Sequence, residues 1–234
     1  MDKIKLKLLD SRNFLLEEAY KVLRTNLQFC GQDIKTVAIT SCDENEGKTT
    51  IALNLAKELS QLGKKVLVVD ADMRKSVVVG RNTSAANVTG LSEFLTGMEK
   101  LENSIYSTQY ENLQIMFAGK YPPNPVELLS DKYFAQFIQM ARETYDYVLI
   151  DTPPLGRVID AAVIASICDG TILVMDEGRT RIREAQDVVR QLKKSGGKIL
   201  GVVKNKTKKK GKNYYYKKGY GYGYGYGYGS KGAR

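Results

Sequence analysis

Histidine and tryptophan are absent from the 234 residues, and cysteine and proline are scarce, at three and five. Without histidine there is no His-assisted serine or cysteine nucleophile and no His-ligated metal. The histidine-containing catalytic loop of ordinary protein kinases is excluded as well. Cys30, Cys42 and Cys168 are too few and too scattered for a disulfide framework, and no CxxC pair offers a zinc or iron–sulfur site. None has an arginine at the spacing of the cysteine-phosphatase loop. This usage points to a reduced, cytosolic protein. Long apolar runs are missing too. The N-terminal stretch MDKIKLKLLDSRNF has no signal-peptide core, and the most apolar region, 161–175, is interrupted by Asp169 and Gly170.

Acidic residues are absent from Lys204 to Arg234, where nine lysines and one arginine carry the whole net charge of +10. Residues 1–203 are electrically balanced, so the basic character belongs to the tail and does not mark a nucleic-acid-binding fold. The tail also holds eight of the fifteen tyrosines, Tyr214, Tyr215, Tyr216, Tyr220, Tyr222, Tyr224, Tyr226 and Tyr228, with hardly an aliphatic neighbour. Such a segment cannot bury enough apolar surface to offset the entropy of ordering it. The expected organisation is a folded domain over 1–203 and a disordered Lys/Gly/Tyr tail over 204–234.

In the body, short β-branched runs alternate with helical patterns. The runs are 36–40, 66–70, 113–117, 147–151, 171–175 and 199–203. Helical periodicity fits 14–28, 48–62, 131–143, 159–167 and 180–194, with a short helix near 91–95. Continuous apolar strands separated by helices predict an α/β fold, a parallel sheet covered on both faces.

Three segments carry the chemistry. TSCDENEGKTT (40–50) follows a predicted strand and opens a predicted helix, the setting a phosphate-binding loop needs. Its backbone from Asp43 through Thr50 would cradle phosphates, with Lys48 reaching the β/γ-phosphates and the Thr49 hydroxyl ligating Mg²⁺. Cys42 stands where GxxxxGK[ST] has its first glycine. Asp43, Glu44 and Glu46 place acids beside a polyanion and are expected to point outward. VLVVDADMR (66–74) delivers Asp70 and Asp72 at a strand's C-terminal end, and YVLIDTPP (147–154) delivers Asp151 in the same way. Each motif alone is also compatible with a capped strand end; three in this order are far more specific.

These segments resemble the Walker A, A′ and B motifs of the bacterial tyrosine kinases of capsular and exopolysaccharide systems. The resemblance covers nearly the whole chain and implies a P-loop NTPase domain that uses ATP and Mg²⁺. It implies phosphate binding by Lys48 and Thr49, metal binding by Asp72 and Asp151 along with Thr49, and acceptance of the tyrosine proton by Asp70. Asn205 matches the position where related P-loop proteins contact adenine. Glu18, Lys21 and Arg24 resemble the family's ExxRxxR oligomerisation segment, with Lys21 in place of its first arginine. Family loops read PGEGK where this one reads ENEGK, so Glu44 and Asn45 replace Pro and Gly.

The resemblance implies trans-autophosphorylation of the tail within a ring and a role in polysaccharide synthesis and export, with pathway enzymes as further substrates. A tail of 31 residues has an r.m.s. span of roughly 30 Å, enough to reach a neighbouring subunit. It also implies a transmembrane activator, expected to be a separate polypeptide that holds this cytoplasmic chain at the inner face of the membrane. Phosphates of about −1.5 to −2 charge each would overturn the tail's positive charge and favour ring opening. Two other readings stand beside this one. A division-site or partitioning ATPase shares the fold but carries an early loop lysine where this chain has Asp43. A nucleic-acid module would use the basic, tyrosine-rich tail; no nucleic acid is expected as a partner of the kinase.

Overall fold

A computed structural model of the chain describes residues 3–8, 14–83 and 88–207. All eight tail tyrosines, Tyr214 to Tyr228, lie outside the described residues. Seven strands form one sheet: β1 (Thr36–Ser41), β2 (Val66–Asp70), β3 (Ile105–Ser107), β4 (Leu113–Met116), β5 (Tyr147–Asp151), β6 (Gly170–Asp176) and β7 (Ile199–Asn205). Their order is β3-β4-β2-β5-β1-β6-β7, and every pairing is parallel except β3 with β4. The all-parallel expectation fails at this edge, where a three-residue strand folds back along β4. A run this short leaves no periodic trace in the sequence.

The central strands are buried on both faces, so their side chains divide strictly by parity. Val66 and Val68, with Val37, Ile39 and Leu149, join a core with α1 (Phe14–Phe29) and α2 (Lys48–Ser60). Leu67, Val69, Val148 and Ile150 face the opposite core. That core is closed by α5 (Pro125–Ser130), α6 (Lys132–Thr144), α7 (Asp160–Ser166) and α8 (Ile182–Lys194). Between β2 and β3 lie a π-helical turn (Val78–Asn82) and two short helices, α3 (Leu91–Leu95) and α4 (Leu101–Ser104). Asp131 separates α5 from α6 because its carboxylate accepts from the Tyr133 amide and caps the second helix.

This strand order has one consequence for function. β5 lies between β1 and β2, so the ends of all three motif strands meet at the centre of the sheet. Asp70 and Asp151 are direct partners in the β2–β5 register. β7 carries the fold to Asn205, two residues past the boundary expected at 203.

Candidate active site

The loop after β1 turns through two left-handed residues, Asn45 (φ 60°) and Gly47 (φ 98°). Asparagine tolerates this conformation better than most side chains, which accounts for its standing where the family has glycine. Gly47 has no such alternative: a Cβ there would lie 2.1 Å from Asn205 Nδ2. Gly47 also caps α2 without a side-chain hydrogen bond, so the first amides of that helix remain available to an anion.

The acids of the loop behave differently from the expectation. Glu46 does not point outward. It is fully buried, and one carboxylate oxygen accepts from the Cys42 and Asp43 amides at 2.8 and 3.0 Å. Its other oxygen accepts from the Thr180 hydroxyl. A buried acceptor for converging amides is worth more to the loop than an exposed charge. Asp43 pairs with Arg157 at 2.8 Å and Arg179 at 3.1 Å, and the Arg157 hydrogen bond above all holds its carboxyl at about 2. Glu44 pairs with Lys75 at 2.7 Å. These ion pairs connect the loop to the segments that follow β2, β5 and β6. Replacing Glu46 with Ala strands two amides and a hydroxyl. It is expected to cost about 1–3 kcal/mol of stability and to weaken nucleotide binding about tenfold, read by thermal melting and nucleotide titration.

At the loop's end the Thr49 hydroxyl donates to Asp151 Oδ2 at 2.5 Å. Asp151 Oδ1 is buried with no hydrogen-bond partner. Burial pushes Asp151 up to about 6, with Lys48 pulling the other way. Asp70 is fully buried, accepting from Ser76 Oγ at 2.5 Å and from the Asp72 amide at 3.2 Å. Burial, then the neighbouring Asp151 charge, lifts it well above the carboxylate range. Asp72 is raised mainly by burial as well.

A cleft of about 610 Å³ opens above these groups. Glu44, Asn45, Gly47, Lys48, Thr49, Thr50, Asp72 and Asn205 line it, so the structure brings most of the expected site residues together. Asp43, Glu46, Asp70 and Asp151 are not part of that lining. Asn205 donates to the Glu46 carbonyl at 2.9 Å and braces the loop from the β7 side. Five further cations on the wall escaped the sequence reading: Arg74, Lys75, Arg81, Arg157 and Lys206. Arg74 had a local signal, since it ends the DADMR motif. Lys206 reaches the Asn45 carbonyl and Asp176 from the far end of the fold, and no sequence spacing announces that.

Mg²⁺ is tested by the donor set. A buried carboxylate oxygen without a partner, beside a threonine hydroxyl, is a hard-oxygen environment suited to it. Among the described residues no three Asp, Glu, His or Cys side chains converge on one point. That fits an ion held by one or two protein groups plus phosphate and water oxygens.

The segment thought to direct oligomerisation lies away from this cleft. Lys21 pairs with Glu18 at 2.7 Å on the open face of α1. Arg24 instead turns inward to Glu58 at 3.4 Å. The same helix exposes Phe14, Leu15, Val22 and Phe29. Among the described residues no helix is long and apolar enough to cross a membrane.

Comparison with known proteins agrees with this geometry. A family model described as an AAA domain matches residues 34–195. The tyrosine-protein kinase CpsD of Streptococcus agalactiae is 43% identical over 190 residues, covering 81% of this chain and 83% of the relative. The kinase domain of the Escherichia coli tyrosine kinase ETK superposes with a TM-score of 0.79 at 32% identity, covering 91% of this chain and 80% of that one. The septum site-determining protein MinD of Pyrococcus horikoshii, complexed with Mg-ADP, is a more distant likeness. Its TM-score is 0.61 at 30% identity, over 73% of this chain and 70% of that one.

Proposed function

The chain belongs to the bacterial tyrosine-protein kinases, and on that premise we propose that its cleft phosphorylates the chain's own C-terminal tyrosines in trans, within an oligomeric ring. The observation that carries this reading is the convergence of Lys48, Thr49, Asp72 and Asp151 where β1, β2 and β5 end side by side.

Mg·ATP supplies the phosphoryl group and a charge-neutralising metal. The α2 amides and Lys48 would bind phosphate oxygens, while Thr49 and Asp151 would hold the metal directly and Asp72 through water. Asn205, beside the loop, would contact the adenine. Transfer breaks the bond between the γ-phosphorus and the ADP oxygen and forms one to the phenol oxygen, whose proton must go to a carboxylate. The resemblance assigns that proton to Asp70. In this conformation Ser76 and the Asp72 amide cover Asp70, and it has no exposed surface. Asp72 is the open carboxylate of the pair, so we assign proton acceptance to Asp72 and give Asp70 the task of fixing it. Little else is asked of the protein, because phosphoryl transfer depends chiefly on positioning and charge.

The apolar outer face of α1, with Glu18 and Lys21 on it, supports the ring reading. Arg24 would have to leave Glu58 to join such an interface. A separate transmembrane activator, placement at the inner membrane face, and polysaccharide-pathway enzymes as further substrates complete the proposal. The switch-ATPase alternative rests on the more distant fold likeness.

A tail deletion should begin after Thr207, because Lys204 and Asn205 belong to β7. Removing 208–234 is expected to leave nucleotide affinity within about twofold while phosphotyrosine falls at least about tenfold. Nucleotide titration and anti-phosphotyrosine detection check this together. Unchanged phosphotyrosine would place the acceptor elsewhere.

A further inference from the structure

Asp160, on the first turn of α7, is 1% exposed. Its Oδ1 accepts from Arg74 Nε at 2.8 Å, and its Oδ2 is buried without a hydrogen-bond partner. A buried carboxylate with one oxygen unpartnered costs the fold, so stability alone is a poor reason for it. Its one strong contact holds a cleft residue. Arg74 lines the cleft with Lys48, Thr49 and Asp72, and its side chain remains 31% exposed. The pairing uses Nε, and among the described residues neither terminal guanidinium nitrogen makes a hydrogen bond. The forked donors that best match phosphate oxygens are therefore held in place and left free.

We propose that Asp160 is a positioning residue that aims Arg74 at the oxygens of the phosphoryl group in transit. Arg74 meets the charge that develops as the bond to ADP breaks and the bond to the phenol oxygen forms, and Asp160 touches neither reactant. The pairing also ties the helix that follows the DTPP segment to the end of the DADMR segment. The inference rests on the kinase reading for its acceptor.

The test uses the full chain with Asp160→Asn, Arg74→Ala and the double variant. Phosphotyrosine formation and ATP hydrolysis are each followed against ATP concentration, alongside thermal melting. Asp160→Asn is expected to lower kcat about tenfold or more while KM for ATP moves less than about threefold and Tm holds or rises. The same substitution added to Arg74→Ala is expected to cost nothing further. Asp160→Glu, which keeps the carboxylate, is expected to recover part of kcat. Wild-type kcat in Asp160→Asn, or a loss that multiplies with that of Arg74→Ala, overturns the proposal. So does a loss that only follows a fall in Tm. A wild-type chain that forms no phosphotyrosine would sink the kinase reading instead, and the hydrolysis rates of the same variants would still decide the positioning role.

Discussion

Lys48→Met is expected to lower tail phosphorylation by about 10³-fold while leaving the fold in place. Lys48 is the first residue of α2, 8% exposed, with its amine among the cleft groups. It is the loop's own cation, on the first residue of the helix whose amides face an incoming phosphate. A preorganised charge in a site shielded from water is worth a factor of about 10²–10³ by itself. A further loss comes from the floor of the cleft. Lys48 is the cation that opposes the upward shift of Asp151, so without it Asp151 holds its proton more tightly. A protonated Asp151 is a poor metal ligand. Phosphotyrosine rates at saturating Mg·ATP, with circular dichroism to confirm the fold, check the prediction. A reduction of less than about tenfold would show that this loop is not where the phosphates bind.

Asp151→Asn is expected to lower activity steeply and to stabilise the protein. Asp151 and Asp70 are partners in the β2–β5 register, both buried, and the Asp151 charge raises the cost of charging Asp70. Burial holds Asp151 at about 6, against roughly 4 in an unfolded chain. Between these values the folded state keeps a proton that the unfolded state has lost. Stability therefore falls as pH rises through this window, and the penalty is complete above about pH 6. Asparagine keeps an oxygen for the Thr49 hydroxyl and removes the charge. The expected gain at pH 7.5 is on the order of 1–3 kcal/mol, a Tm higher by several degrees, and it should vanish below about pH 4. Activity should drop by about 10²-fold or more through loss of the metal ligand. Melting curves across pH, paired with phosphotransfer rates, separate the two effects. A variant less stable than wild type at pH 7.5 would mean that the carboxylate earns its place structurally.

What the chain displays in one dimension, it displays well. Runs such as VLVVD and YVLID are β-branched, apolar and closed by a carboxylate, so the strands and the catalytic ends of the sheet can be read together. Lys48, Thr49, Asp72 and Asp151 follow from that reading because each sits at a fixed step beyond a strand or loop. Other features are set by packing between distant segments. Glu46 looks like one acid among three, and only the approach of Thr180 and the turn of the Cys42–Asp43 backbone make it an internal brace. Asp70 and Asp72 share a spacing and a face, yet Ser76 closes over one and leaves the other open. Arg157, Lys206 and Asp160 reach the site from separate elements, and β3 is too short to show any period. For Glu46, Arg157, Lys206 and Asp160 the deciding partner lies far along the chain, beyond what local spacing encodes.

The central claim is that one subunit's cleft phosphorylates another subunit's tail. The direct measurement mixes the 1–207 chain, which keeps the cleft and lacks the tail, with full-length Lys48→Met, which keeps the tail and lacks the cation. After incubation with Mg·ATP, the full-length component is analysed by intact-mass and peptide mass spectrometry. The account predicts successive phosphate additions on Lys48→Met that map between Tyr214 and Tyr228, and none when either component is incubated alone. ATP consumption by wild type and the mixture without phosphotyrosine in either would contradict it, and would leave an ATP-driven switch as the better description of this fold.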